Sequence, residues 1–196
     1  METVHAFTAA MAVCDPDLLD HSDRVAATAD GLARTLGWSE RRRELVRLGA
    51  ALHDVGKVNV RSDVLTKPGR LDAWEMAEMR AHPVEGMWLL SEVRSLGPAL
   101  PFVLFHHERW DGTGYPTRRS GREIPEEGRL LAIADAFDAM TAPRSYRDSV
   151  SAEEAVDEVE RCAGSQFDPA FVEAFVDAFD QGVFSVVGSN CLVATR

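Results

Sequence analysis

The stretch LGAALHDVGKV, residues 48–58, carries an apolar stripe and a polar cluster side by side. Leu45, Leu48, Leu52 and Val55 recur at three- and four-residue steps, the spacing that lines one face of a helix. If the helix continues through Val55, then His53, Asp54 and Lys57, at offsets of one, three and four, cover one arc of its surface. A histidine and a carboxylate on one arc can ligate neighbouring divalent ions, and the carboxylate can bridge them; Gly56 leaves room on that face. Lys57, one of only two lysines, would place a cation beside such ions; its plainer reading is a solvated lysine at a helix C-terminus.

Outward from this segment the same periodicity predicts seven to nine helices, near 2–13, 17–36, 40–55, 72–80, 82–94, 97–107, 124–140, 151–162 and 168–180, and an all-α fold. Ser39, Ser151 and Asp168-Pro169 are start signals, and Gly37, Gly164 and Gly182 stand where helices should stop. Two irregular stretches remain, 57–71 and the glycine-rich 108–123, and loops of the latter kind often carry function. The β-branched tail from 183 is either a short strand or an arm packed on a single domain spanning 1–182. Trp38, Trp74, Trp88, Phe171, Phe175 and Phe179 fall at helical spacing and read as core or interface, and Arg41–Arg43 as a solvated first turn.

Composition narrows the function classes. The 196 residues carry 21 basic and 32 acidic side chains, a net charge of −11, which argues against a broad surface for duplex nucleic acid or anionic membrane. No apolar run reaches the ~18 residues of a membrane span, and the N-terminus lacks the basic-then-apolar order of a secretion signal. Cys14, Cys162 and Cys191 form no CxxC pair, so a reducing cytoplasm is the expected compartment.

Six histidines are present, and five stand in a suggestive pattern: His21, His53 followed by Asp54, His82, and the doublet His106-His107. Asp135 and Asp138 interrupt an apolar helix, LLAIADAFDAM. A lone buried histidine is ordinarily a hydrogen-bonded core residue, but several imidazoles and carboxylates together are costly to bury without a compensating partner. A divalent cation is such a partner.

These segments resemble the HD-GYP subgroup of the HD phosphohydrolases. The matching pieces are HSDRV at 21–25, HDVGK at 53–57, HP at 82–83, HHERWDGTGYP at 106–116, DAFDAMT at 135–141 and QFDP at 166–169, in order over nearly the whole chain. The resemblance implies a helical domain with an iron or manganese centre that cleaves cyclic di-GMP to pGpG and on to GMP. His21, His53, Asp54 and Asp135 would hold one ion and His82, His106 and His107 a second, with Asp54 bridging. Lys57 would lie by the scissile phosphate, and Arg144 and Arg147 match positions that contact the substrate; Arg109 would add to the same field. Two such ions bring the pKa of a water between them toward ~7 and neutralise charge growing on a phosphoryl oxygen.

Departures from the pattern leave roles open. Asp17, four residues before His21, is a candidate ligand for a third ion, or else a first-turn acid of its helix. Pro143 precedes Arg144 where the family usually places an acid, arginine and then proline, which re-aims that arginine. Tyr115 and Pro116 read most economically as a rigid turn or a protein-contact surface. Two other functions compete: an HD hydrolase for another nucleotide such as cyclic GMP-AMP, and a non-catalytic cyclic di-GMP receptor or adaptor that meets a diguanylate cyclase or regulatory partner through loop 108–123. Homodimerisation through the apolar N-terminal helix is a further expectation.

Overall fold

The structure is a computed structural model that describes residues 2–14, 17–142 and 150–184. Within them the helices run α1 (Glu2–Cys14), α2 (Asp17–Thr35), α3 (Glu40–Leu52), α4 (Ser62–Leu65), α5 (Ala73–Met79), α6 (His82–Ser91), α7 (Leu100–Phe105), α8 (Glu126–Thr141), α9 (Ala152–Arg161) and α10 (Pro169–Asp180). Turns of 3-10 helix lie at Val55–Asn59, Arg94–Ala99 and Gly121–Glu123. The described residues contain no strand beyond an isolated bridge between Ala163 and Phe167, so the fold is all-α.

Local chemistry sets the helix starts. Ser151 and Glu154 form a reciprocal capping box at α9, and Asp72 and Glu75 do the same at α5. Asp168 accepts from the Ala170 amide while Pro169 occupies the first turn of α10, where a missing N–H costs nothing. The last turns behave differently from the expectation of continuous helices. α3 stops at Leu52 rather than 55, because the Ala50 carbonyl that a longer helix would offer to the next amide accepts from His53 Nδ1. The segment expected as one helix over 97–107 divides into the 3-10 turn and α7, which puts Pro101 in a first turn instead of an interior. Part of the stretch expected to be irregular, 57–71, holds α4.

Two apolar clusters enclose the middle of the chain. The larger joins α2, α3, α8, α9 and α10 through Val25, Leu32, Val46, Leu131, Phe137 and Phe175. Phe184, just past the expected domain edge, is buried there against the rings of Phe137 and Phe175, so the described start of the tail is packed on the domain. The smaller cluster joins α1 to the 55–59 turn, α6 and α7 through Met11, Leu52, Val55, Leu90 and Val103. Among the tryptophans, Trp38 packs partly buried on the larger cluster under the Arg42 guanidinium, but Trp74 and Trp88 are 86% and 62% exposed and lie outside the core. The 41–43 arginines are less solvated than expected, since Arg42 pairs with Glu126 and Arg43 with Asp30.

Candidate metal centre

The helix ends explain why the histidines converge. A helix leaves its last carbonyls without intrahelical partners. At three such ends an imidazole three residues on supplies the missing donor: His53 Nδ1 to Ala50 O at 2.7 Å, His82 Nδ1 to Met79 O at 2.7 Å and His106 Nδ1 to Val103 O at 2.8 Å. A carbonyl only accepts, so each Nδ1 carries the proton and each Nε2 presents a lone pair. His21, in the second turn of α2, is oriented by another route, with Nδ1 2.7 Å from Asp138 Oδ2.

The Nε2 atoms then face one another around Asp54. His21 Nε2 and His53 Nε2 are 3.3 Å apart, and His82 Nε2 and His106 Nε2 are 3.2 Å apart. Asp54 Oδ2 lies 3.7 and 3.5 Å from the first pair, while Oδ1 lies 3.2 and 3.9 Å from the second. Asp135 Oδ1, from α8, is 3.3 Å from His21 Nε2 and 4.0 Å from His53 Nε2. His107 completes the second side, its ring 4.1 Å from that of His106 and 5.0 Å from that of His82. Donor atoms of His21, His53 and Asp54, and separately of His82, His106 and His107, fall within 4.8 Å of one another.

This donor set fits divalent ions. The Nε2 lone pairs of His82 and His106, facing at 3.2 Å inside a buried centre, repel unless a cation lies between them. Two imidazole nitrogens each bonded at about 2.1 Å to one ion, with near-perpendicular bonds, sit roughly 3 Å apart. Nitrogen and carboxylate ligands around buried positions are the ordinary chemistry of such sites.

The electrostatics run the same way. Burial would raise the Asp54 carboxyl, but Lys57, His53 and His82 hold it well below the usual range. Burial opposes ionisation of Asp135 too, yet its bond to His21 and the neighbouring imidazoles keep it ionised. Desolvation lowers His53, lowers His106 further with help from the surrounding imidazoles, and takes His107 down to about 4. His21 is the exception: burial resists its charging, but Asp135, Asp138 and Asp54 raise it to about 9.

Two glycines allow the approach. A Cβ on Gly56 would overlap the His82 carbonyl and the Gly86 amide, so only glycine lets the 55–59 turn lie against α6 and bring Asp54 to His82. Lys57, in that turn, donates to Asp54 Oδ2 at 2.5 Å. Likewise a Cβ on Gly114 would overlap the Arg109 amide and the His107 carbonyl, the contact that folds loop 108–123 back on the centre. Tyr115 then stacks on His107, ring centroids 4.8 Å apart at 29°, and its amide donates to His107 O. The expected rigid turn is thus also a wall of the centre. A cavity of about 410 Å³ opens beside it, lined by His106, His107 and Asp135 and by Arg80, Arg109 and Tyr115.

All seven expected ligands of a two-ion site therefore come together, and Lys57 with them. Asp17 is exposed at the first position of α2 and shares a face with His21, but belongs to neither donor group. Arg109 reaches the cavity with its guanidinium held by Asp111, Thr113 and Gln166. Arg144 and Arg147 lie outside the described residues. Roles for Asp138 and Arg24 were not legible: Asp138 fixes His21, and Arg24 Nε donates to Asp138 Oδ1 at 2.6 Å. The available signal was spacing, since each lies three residues beyond an expected ligand on its own helix, Asp135 and His21.

The helical fold and its ringed histidine–aspartate centre are those of an HD-type domain. Residues 7–171 match the HD-domain family model, and the chain belongs to that family, in its HD-GYP branch. It is 40% identical over 163 residues to 3'3'-cGAMP-specific phosphodiesterase 2 of Vibrio cholerae, covering 82% of this chain and 31% of the relative. It is also 40% identical over 160 residues to a cyclic di-GMP phosphodiesterase of Thermotoga maritima, covering 80% and 43%. The chain thus spans between about a third and two fifths of these relatives' lengths. Among solved structures, the HD domain of the L. monocytogenes phosphodiesterase PgpH with cyclic-di-AMP superposes with a TM-score of 0.69 at 18% identity, over 95% of this chain and 99% of that one, which shows the fold. Among the described residues no helix is long and apolar enough to cross a membrane.

Proposed function

We propose that the chain hydrolyses cyclic di-GMP to pGpG, and on to GMP, at a centre of two iron or manganese ions within a catalytic domain spanning 1–182. The observation that carries this reading is Asp54, whose two oxygens face two different histidine sets. His21, His53, Asp54 and Asp135 would hold one ion and His82, His106 and His107 the other, with Asp17 the candidate for a third. A histidine-rich set suits borderline metals better than magnesium, which prefers oxygen. When bound, such a pair of ions supplies charge neutralisation on the phosphoryl oxygens and a water acidic enough to attack near neutral pH.

The chain's own residues do the rest. Lys57, one-fifth exposed, orients the bridging carboxylate and keeps a cation at the edge of the centre, where charge develops on the leaving oxygen. Asp138 and the three helix-end carbonyls lock the imidazoles in the tautomer that presents Nε2. Tyr115 closes the wall over His107 and excludes water from that side. Arg144 and Arg147 are the expected substrate contacts. A second reading, hydrolysis of 3'3'-cGAMP, is favoured by the Vibrio relative of equal identity.

The test is anaerobic purification, metal analysis and chromatography of products from both cyclic dinucleotides, for wild type and Asp54→Asn. Wild type should carry about two ions per chain and yield linear dinucleotide. The variant should stay folded, lose metal and fall at least about 100-fold in turnover, more than the loss of a residue that merely supports a ligand. Full turnover by metal-free protein would reject the mechanism. Tight binding by metal-loaded protein without product would instead make the domain a receptor.

A further inference from the structure

We propose that Arg80 binds the second phosphodiester of the cyclic dinucleotide, the one not being cleaved; this rests on the function proposed above. A cyclic dinucleotide carries two phosphodiester anions, and only one can occupy the metal centre at a time. The other enters the same cavity on a protein of net charge −11, and an unpaired anion there is expensive. It needs a cation that is not already spent.

Two arginines line the cavity among the described residues, and they differ. Arg109 is committed to the scaffold: Nη1 donates to Gln166 Oε1 at 2.7 Å, Nη2 to Asp111 Oδ2 at 2.9 Å and Nε to Thr113 Oγ1 at 3.0 Å. Asp111 balances its charge, and the network ties loop 108–123 to the segment before α10. Lys57 is likewise paired with Asp54. Arg80 has no carboxylate partner among the described residues; its guanidinium lies over the Tyr115 ring, 5.3 Å from the centroid, and residue 80 is exposed. The fork is therefore exposed, uncompensated among the described residues and free to take two phosphate oxygens at once.

Placement supports the assignment. Arg80 caps the end of α5, where its amide donates to Met76 O, and it stands two residues before His82. Tyr115, beneath the guanidinium, stacks in turn on His107. Cation, ring and metal ligand thus form one continuous wall from the cavity mouth to the centre. This geometry lets one ligand reach both the ions and Arg80.

The experiment compares steady-state kinetics of wild type, Arg80→Gln and Arg80→Lys on cyclic di-GMP and on bis(p-nitrophenyl) phosphate, which has a single phosphodiester, with metal content measured for each. Arg80→Gln should raise KM for the cyclic substrate at least about tenfold more than for the simple diester, with kcat and metal content held within about twofold. Arg80→Lys should recover part of the loss, as a point charge without the fork. An equal loss on both substrates, or a loss of metal, would assign Arg80 to the support of Tyr115 and His107 and overturn the proposal. An unchanged KM for the cyclic substrate overturns it too. Wild type that cleaves the simple diester but binds no cyclic dinucleotide would remove the proposed function itself, and this role with it.

Discussion

Asp138 shows how a side chain outside the proposed ligand set governs one inside it. Its carboxylate receives His21 Nδ1 and the Arg24 guanidinium together, and burial, which would favour its neutral form, is outweighed by those two partners. Asp138→Asn keeps the shape but can present its amide nitrogen to His21, which frees the ring to turn or change tautomer. The expected outcome is a 10–100-fold weaker affinity for the ion on the His21 side, read by titrating metal into chelated protein. Unaltered affinity would show that packing alone orients His21. Asp135 and Asp138 stand out in the sequence as acids on an apolar helix, yet nothing local says which one faces His21 Nε2 and which one holds its Nδ1. Their division of labour depends on where α2 crosses α8, and the larger apolar cluster sets that crossing.

Three of the helices meet the centre through their ends. α3, α5 and α7 each stop where an imidazole takes a carbonyl, and the 3-10 turn at 55–59 carries Asp54 across to α6. Gly56 is the hinge of this arrangement, since any side chain there collides with backbone of α6 rather than with a movable side chain. Gly56→Ala should cost about 1–3 kcal/mol through overpacking and shift Asp54 away from His82. A displacement near 1 Å lowers turnover by about 100-fold, so the variant's activity should fall far more than its melting temperature. Thermal denaturation and kinetics measured together decide it; wild-type turnover in a folded variant would mean that Asp54 spans the two histidine sets without this close approach. The HDVGK segment was expected on a continuous helix. Its residues do share one side of the chain, but as the end of α3 followed by a tighter turn, because the histidine competes for the carbonyl that propagation needs.

At the scale of the molecule, the two apolar clusters hold a charged centre between them, and that makes the metal-stripped protein sensitive to pH. His53, His106 and His107 have folded values below 6.5, so their contribution to stability is present above that pH and is lost as acid charges them, His107 through about 4. His21 has the opposite sign: its contribution is present below 6.5 and is lost as pH rises through about 9. Chelated protein should therefore melt highest near pH 6.5 and lower on either side, and a profile flat from pH 4 to 9 would contradict the buried placement of these imidazoles.

The sequence by itself determined the all-α class and most helix starts, through apolar spacing and caps that act within a few residues, and the set of side chains that gathers at the centre, because five of six histidines fall in an ordered motif. It did not determine which atoms meet. The tertiary structure alone decided that Asp54 faces both histidine sets, that Asp138 supports His21 from 117 residues away, and that, among the described residues, Arg109 is spent while Arg80 is not. Propensity and capping are local and can be read along the chain; the partner of a charge is set by packing between distant segments, and a linear pattern carries no term for it.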